Sequence, residues 1–237
     1  MEYANKVITI YKIKGGKEMK KIIILIMHIS IIMFLFTSCA KTNQFTKKIY
    51  TTDDLQIQKI NIETRDRQIE ILSSNDDLVH IEYFENEQEQ YSILIDENKT
   101  LDVKLENNKS WLDYFGQKAS MDNRKIILSI PNHLLIDLVI ETTNENVSIA
   151  KEVSIDNLSV SVNGGNIIFD KLNACSDIVL NVKNGDITGS ILGSYDDYSI
   201  NCQIKKGETN LPSKKDGGYK QLDVIVNNGD AKIEINK

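Results

Sequence analysis

The chain is poor in the residues from which most protein chemistry is built. Its 237 residues include 2 Pro, 3 Cys and 1 Trp, with 3 His. So few, widely spaced cysteines exclude a disulfide framework, and with so few histidines they exclude a Cys/His zinc cluster. The histidines leave few candidate general bases. Arginine is equally scarce, at Arg65, Arg67 and Arg124 only. A net charge of −6 argues against a nucleic-acid binder. What is present suffices for a core: 41% of residues are hydrophobic and 26% charged, which is not a disordered composition.

The N-terminus reads as an address. Lys20 and Lys21 precede an apolar run from Ile22 to Phe36, then Thr37, Ser38, Cys39 and Ala40. A short basic region, an apolar stretch and small residues are the parts of a secretory signal. At 15 residues the run is shorter than the ~20 of a spanning helix. Phe-Thr-Ser-Cys resembles the lipobox of bacterial lipoproteins, with Leu35 one place ahead of the usual leucine position, which Phe36 fills. The resemblance implies lipid attachment at Cys39 and a site in the bacterial cell envelope, anchored to the membrane and facing outside the cytoplasm. The competing arrangement is an uncleaved anchor ending in a plain cysteine. Met19-Lys-Lys-Ile opens like an ordinary signal, and Gly15-Gly-Lys-Glu18 would be encoded by a purine-rich, ribosome-binding-like stretch. Translation is therefore expected to start at Met19. The expected organisation is a spurious leader over 1–18, a signal over 19–38, a polar tether over 39–54 and one domain over 55–237. Removing residues 1–38 takes away six lysines and two glutamates. That leaves 22 basic and 32 acidic residues, a net charge of −10 over 199 residues.

The body repeats. Leu158-Ser-Val160-Ser-Val162 leads into a Gly-rich turn and then Ile167 and Phe169. The same pattern recurs around turns centred on Gly185, Gly207 and Gly229, and in a degenerate copy around Glu145, at spacings of 20, 20, 22 and 22 residues. Of the 25 positions expected to point inward, 22 are apolar, with Thr142, Gly189 and Thr209 the exceptions. Of the 20 outward positions only Val139, Ile168, Val179 and Ile225 are apolar. This is a period-two signal for strands with one buried and one wet face. Asn-Gly and Gly-Gly at the centres supply positive φ. Asn-Gly is also the strongest hairpin signal, so a meander is the competing arrangement. The near-constant spacing favours a solenoid in which each unit stacks on a copy of itself, with Cys202 between Leu180 and Val224. The first half is β-rich but less regular, with strands expected around Ile60, Ile69, Leu78–Tyr83, Tyr91–Ile95, Leu101–Leu105 and Ile126–Ile130.

Ile-Ile-Leu-Ser-Ile-Pro (126–131), Asp-Leu-Val-Ile-Glu-Thr-Thr-Asn (137–144) and the Asn-Gly-Asp turns at 184–186 and 228–230 resemble the bacterial putative-adhesin family of β-strand-repeat domains of unknown function, the toast-rack domains. The likeness runs from Lys59 to Ile235. It implies an all-β, right-handed solenoid-like fold at the cell envelope and brings no catalytic residues. The glutamate in the repeat at Glu145 departs from the glycine turn.

Candidate sites are few. Cys202 reads as a small buried hydrophobe and Cys175 as a loop residue, and an inward strand position and a loop do not suit the geometry of a disulfide. His80 and His133 have no cysteine or carboxylate at metal-ligand spacing, so no metal or catalytic site is expected there. A period of 20–22 residues does not fit the nine-residue calcium repeat, so Asp186 and Asp230 are expected to close their own turns. Trp111, Tyr114 and Phe115 interrupt the strand pattern. They read as a cap over an open solenoid end, or as a platform for a carbohydrate or protein partner. The last strand, ending near Lys237, is expected at an exposed edge blunted by charge. No cofactor and no catalytic residue is expected. The functional expectation is a non-enzymatic, lipid-anchored adhesin or interaction scaffold with an envelope protein or polysaccharide partner. The alternative is an envelope-stress sensing module acting through a membrane partner.

Overall fold

The computed structural model describes residues 44–52, 57–107, 119–151 and 153–236, all within one compact unit, Asn43–Lys237. The strands are β1 (Thr46–Thr51), β2 (Lys59–Glu63), β3 (Gln68–Ser73), β4 (His80–Glu85), β5 (Glu89–Ile95) and β6 (Thr100–Asn107). They continue as β7 (Lys125–Ile130), β8 (Asp137–Thr142), β9 (Val147–Ile149), β10 (Ser154–Ile155), β11 (Asn157–Gly164) and β12 (Ile167–Ala174). The last are β13 (Ile178–Asn184), β14 (Ile187–Leu192), β15 (Tyr198–Lys206), β16 (Lys214–Lys215), β17 (Lys220–Asn228) and β18 (Ala231–Asn236). Cys39 and the segment holding Trp111, Tyr114 and Phe115 lie outside the described residues.

Pairing decides between meander and stack. Val160 of β11 pairs in parallel with Leu180 of β13 on one side and Ile140 of β8 on the other, one 20-residue repeat away each time. The strands after the turns pair likewise, Ile167 with Val147 and with Ile187. Each repeat is therefore a coil that puts its first strand in one sheet and its second in the other. One sheet, called sheet I, runs β1-β4-β7-β3-β9-β12-β14-β18, with β10 beside β12. Sheet II runs β16-β15-β17-β13-β11-β8-β2-β6-β5. The inward residues of the two sheets form one core from Ile57 to Ile233. Leu180 is fully buried at its middle. Leu180→Ala should cost about 2–5 kcal/mol, measured by denaturant unfolding, because well-packed neighbours on both adjacent coils limit collapse into the cavity.

The coil order differs from the chain order at both ends. The last coil, β17–β18, inserts between β13–β14 and the coil begun by β15, so the stack runs Leu180, Val224, Cys202. Cys202 is buried but sits in the end coil rather than between its predicted neighbours. The turns explain the order. Asn184-Gly-Asp186 stacks on its match Asn228-Gly-Asp230, with Gly229 N–H donating to Lys206 O and Gly185 N–H to Asn228 O, each at 2.9 Å. The Lys-Gly-Glu turn at 206–208 and the poorer core residues Cys202 and Thr209 are left at the end, where fewer neighbours must be satisfied. The last strand, β18, ends sheet I as expected, with Lys232 and Glu234 exposed along it, although the first strand of its coil lies inside sheet II. β17 is paired on both sides, and β18 meets Thr209 through a bridge to Ala231. In sheet II the outermost long strand is β15, covered in part by the short antiparallel β16 and carrying the exposed Lys205 and Lys206. At the other end the coil of β2 and β3 lies between that of β6 and β7 and that of β8 and β9.

The glycine corners are forced twice over. Gly165, Gly185, Gly207 and Gly229 all have φ between 133° and 142°. A Cβ on Gly185 would also lie 2.1 Å from Gly165 O, and one on Gly229 2.0 Å from Gly185 O. In the repeat at Glu145 the positive φ passes to Asn144, at 58°, and Glu145 is free to pair with Arg124. The three inward exceptions have separate causes. Gly189 makes room for the Phe169 ring of the adjacent coil. Thr142 is buried with its hydroxyl donating to Arg67 O at 2.9 Å. Thr209 is exposed at the end of the stack.

The N-terminal end carries its own cover. β4 and β5 form its outer layer with antiparallel pairing, and Tyr83 and Tyr91 pack there with ring centroids 4.9 Å apart. Part of the expected tether is also structured. Thr46–Thr51 forms β1, antiparallel to β4, with Lys47 to Glu82 at 2.6 Å reinforcing the pairing.

Candidate functional site

The stacking brings equivalent outward residues of successive coils into rows on sheet II. Glu63, Glu141, Ser161 and Asn181 lie in one register row, followed by Ile225. Two residues on, Arg65, Thr143, Asn163, Lys183 and Asn227 hold the matching places beside the glycine corners. These two rows line a groove of about 770 Å³. Its lining holds two acids, Glu63 and Glu141, and two bases, Arg65 and Lys183, so its formal charges cancel. Val162 and Leu105 are its apolar residues. Asn163, Asn181 and Lys183 are exposed. Glu63 also faces Lys104 at 3.9 Å.

Behind the groove, a ladder of side-chain oxygens fixes the corner. Asn166 N–H donates to Asn146 Oδ1 at 2.8 Å, Asp186 N–H to Asn166 Oδ1 at 2.9 Å, and Asp230 N–H to Asp186 Oδ1 at 2.8 Å. Glu208 N–H completes it on Asp230 Oδ1 at 2.9 Å. Asp186 and Asp230 therefore do not close their own turns, as the sequence suggested. Each accepts instead from an amide of the neighbouring coil. The Glu208 amide, with Lys232 adding, holds the Asp230 carboxyl below its ordinary value. The folded chain thus binds that proton less readily than the unfolded one. The resulting stabilisation is present above the ordinary carboxylate range and is lost as pH falls through the lowered value. Asp230→Asn keeps an oxygen acceptor, so its melting temperature should fall less than that of the unaltered chain between about pH 5 and pH 2.

The scarce titratable groups have structural partners. Arg67, 1% exposed, donates Nη2 to Glu89 Oε2 at 2.5 Å and Nε to the Tyr91 hydroxyl at 2.9 Å. Arg124 pairs with Glu145 and donates Nε to Ala119 O at 2.9 Å. His80 corrects the sequence reading, since a carboxylate does stand four residues before it. Its Nε2 lies 2.8 Å from Asp76 Oδ1, and its Nδ1 lies 2.9 Å from Thr51 Oγ1. The Leu78 amide first, then His80 and Ser74, lower the Asp76 pKa. The contacts join β1, the loop at 74–78 and β4, which makes the cluster a clip on the first strand. His133 Nδ1 stands 3.8 Å from Asp77, and both side chains are largely exposed. Among the described residues no three His, Cys, Asp or Glu are grouped to hold a metal. Cys175 is exposed and Cys202 buried, and both are free thiols. Burial pushes the Cys202 thiol pKa up. No helix among the described residues is long and apolar enough to cross a membrane.

The sequence reading missed the groove because its residues occupy outward positions, which read individually as a solvated face.

Comparison with known proteins agrees with the fold. A crystal structure of a "putative cell adhesion protein" from Clostridium sporogenes ATCC 15579 is similar over 82% of this chain and 100% of its own, at 11% identity and a TM-score of 0.60. A "putative adhesin" from Bacteroides fragilis NCTC 9343 aligns over 83% of this chain and 98% of its own, at 11% identity and a TM-score of 0.40. No curated protein matches. The Toastrack DUF4097 family model matches residues 57–234, three quarters of the sequence, from just before β2 into β18, and the chain belongs to that family.

Proposed function

We propose that this chain is a non-enzymatic, lipid-anchored envelope protein that presents its coil stack as an interaction surface, as an adhesin or scaffold. The observation that carries the reading is the use of the rare reactive side chains. Arg67, Arg124 and His80 are engaged with Glu89, Glu145 and Asp76, while the groove on sheet II is lined by repeated amides, hydroxyls and cancelling charges. An active site needs a poised base or nucleophile facing such a cavity. The cell-adhesion description of the Clostridium sporogenes neighbour points the same way. Cys39, behind its signal-like run, is the proposed lipid attachment site, and multiple acylation would anchor the stack stably.

Trp111, Tyr114 and Phe115 form the proposed partner platform. Tyr83 and Tyr91 already pack against the N-terminal core, which supports a role for the aromatic segment other than capping. Fatty-acid labelling of the full chain in its bacterial host, followed by membrane fractionation, tests the anchor. The label and membrane retention should be present in the unaltered chain and absent in Cys39→Ala. Label surviving that substitution would contradict the anchor. Pull-down from envelope membranes with Cys39 intact then tests the interaction surface, and Trp111→Ala should reduce capture without lowering the melting temperature.

A further inference from the structure

The groove on sheet II points to its ligand class, and we infer that it binds a neutral polysaccharide segment laid across the coils. This deepens the interaction-surface reading above and rests on it. The first argument is charge. The lining carries two acids and two bases on an acidic chain, so the groove is locally neutral and gives no net attraction to a polyanion or a polycation.

The second argument is polarity. Pockets for cofactors and compact small molecules are mostly apolar, whereas this one has Val162 and Leu105 among hydroxyl, amide and charged side chains. A peptide added as a strand needs an open sheet edge. The groove lies instead on the face of β2, β8, β11, β13 and β17, each paired on both sides.

The third argument is period. Ser161 and Asn181 are register partners on adjacent strands, as are Lys183 and Asn227 in the second row, which places hydrogen-bonding groups at the strand spacing of ~4.8 Å across the coils. A sugar chain offers both donors and acceptors along its length, which matches side-chain amides, since each amide both donates and accepts. Asn163 and Asn181 are exposed, and their side chains bond to no protein group among the described residues, so they are available to a ligand. The ladder of Asn166, Asp186 and Asp230 behind them fixes the corner before any ligand arrives.

The test is calorimetric titration of the full chain, in a detergent without a sugar headgroup. The probes are hexamers of β-1,4-linked glucose and of β-1,4-linked N-acetylglucosamine, with polygalacturonate and polylysine as charged comparisons. At least one hexamer should bind saturably. Asn163→Ala/Asn181→Ala should weaken it about tenfold, the loss of two ordinary hydrogen bonds, with an unchanged melting temperature. The inference is overturned if neither hexamer binds, if the double variant binds like the unaltered chain, or if a charged polymer binds more tightly than both hexamers. Envelope pull-down separates this result from the broader reading. Capture retained by the double variant removes the groove and leaves the interaction surface, whereas no capture by the unaltered chain removes the interaction surface itself.

Discussion

Gly229→Ala is expected to cost about 3–5 kcal/mol, a large share of the about 5–15 kcal/mol that ordinarily holds a domain folded. Two effects combine. At φ 142° an L side chain is strained, which costs about 1–3 kcal/mol. The new methyl would also lie 2.0 Å from the Gly185 carbonyl oxygen, a backbone atom held on the neighbouring coil. Relief requires the coils to part at that corner. Parting them weakens the Gly185 N–H to Asn228 O bond and the Asp230 N–H to Asp186 bond together. Gly217→Ala is the matched control. Gly217 also has positive φ, at 103°, but nothing lies within 4 Å of its missing Cβ. It should show the conformational part alone, about 1–2 kcal/mol. Equal losses in urea unfolding of the two variants would contradict the close-approach argument.

Glu89→Ala is expected to cost about 3–5 kcal/mol, because it leaves the Arg67 charge buried without its counter-ion. Burial opposes that charge, while Tyr91 and Glu89 outweigh it and hold the Arg67 pKa above its ordinary value. Burial likewise pushes the Tyr91 hydroxyl up to about 12, so it stays neutral near pH 7 and accepts from Arg67 Nε. The double variant Arg67→Met/Glu89→Leu should recover most of the loss, since apolar side chains of similar size remove the desolvation cost altogether. A double-mutant cycle in denaturant gives the coupling directly. A coupling near zero would mean that the pair is screened by solvent, against its side-chain exposures of 2% and 5%.

How much of this was legible in the sequence follows from what each signal encodes. Strict alternation from Leu138 to Ile233 reports which face is buried, and the 20-residue spacing reports a stack. Both follow from local geometry, and both appear in the pairing of Leu158 with Leu138 and Ile178. The order of the final coils is a nonlocal choice. Spacings of 22 residues are equally compatible with Cys202 inside or outside Val224. The discriminating signal was present in the matched Asn-Gly-Asp turns, one of which stacks on the other. The Asp ladder was misread because an Asx residue after glycine looks the same whether it bonds within its turn or to the next coil. Asp76 was missed beside His80 because it sits in a loop, where residue spacing does not fix direction. The groove was invisible for a related reason. Ser161, Asn181 and Asn227 are ordinary polar residues until stacking sets them side by side.

The stack order sets the composition of the groove, because Asn227 reaches it only if the last coil lies against β13. Engineered disulfides test this most directly, in a background with Cys175→Ser and Cys202→Ala. Asn181→Cys/Ile225→Cys places two cysteines at paired positions of neighbouring strands, within the usual Cα separation for a disulfide, 4.4–6.8 Å. Asn181→Cys/Gln203→Cys places them two strands apart, at roughly 9–10 Å. The account predicts near-complete oxidation of the 181/225 pair and none of the 181/203 pair, read by mass spectrometry of the folded chain. Ready oxidation of 181/203 with 181/225 left as free thiols would show that the coils follow chain order and would contradict the account.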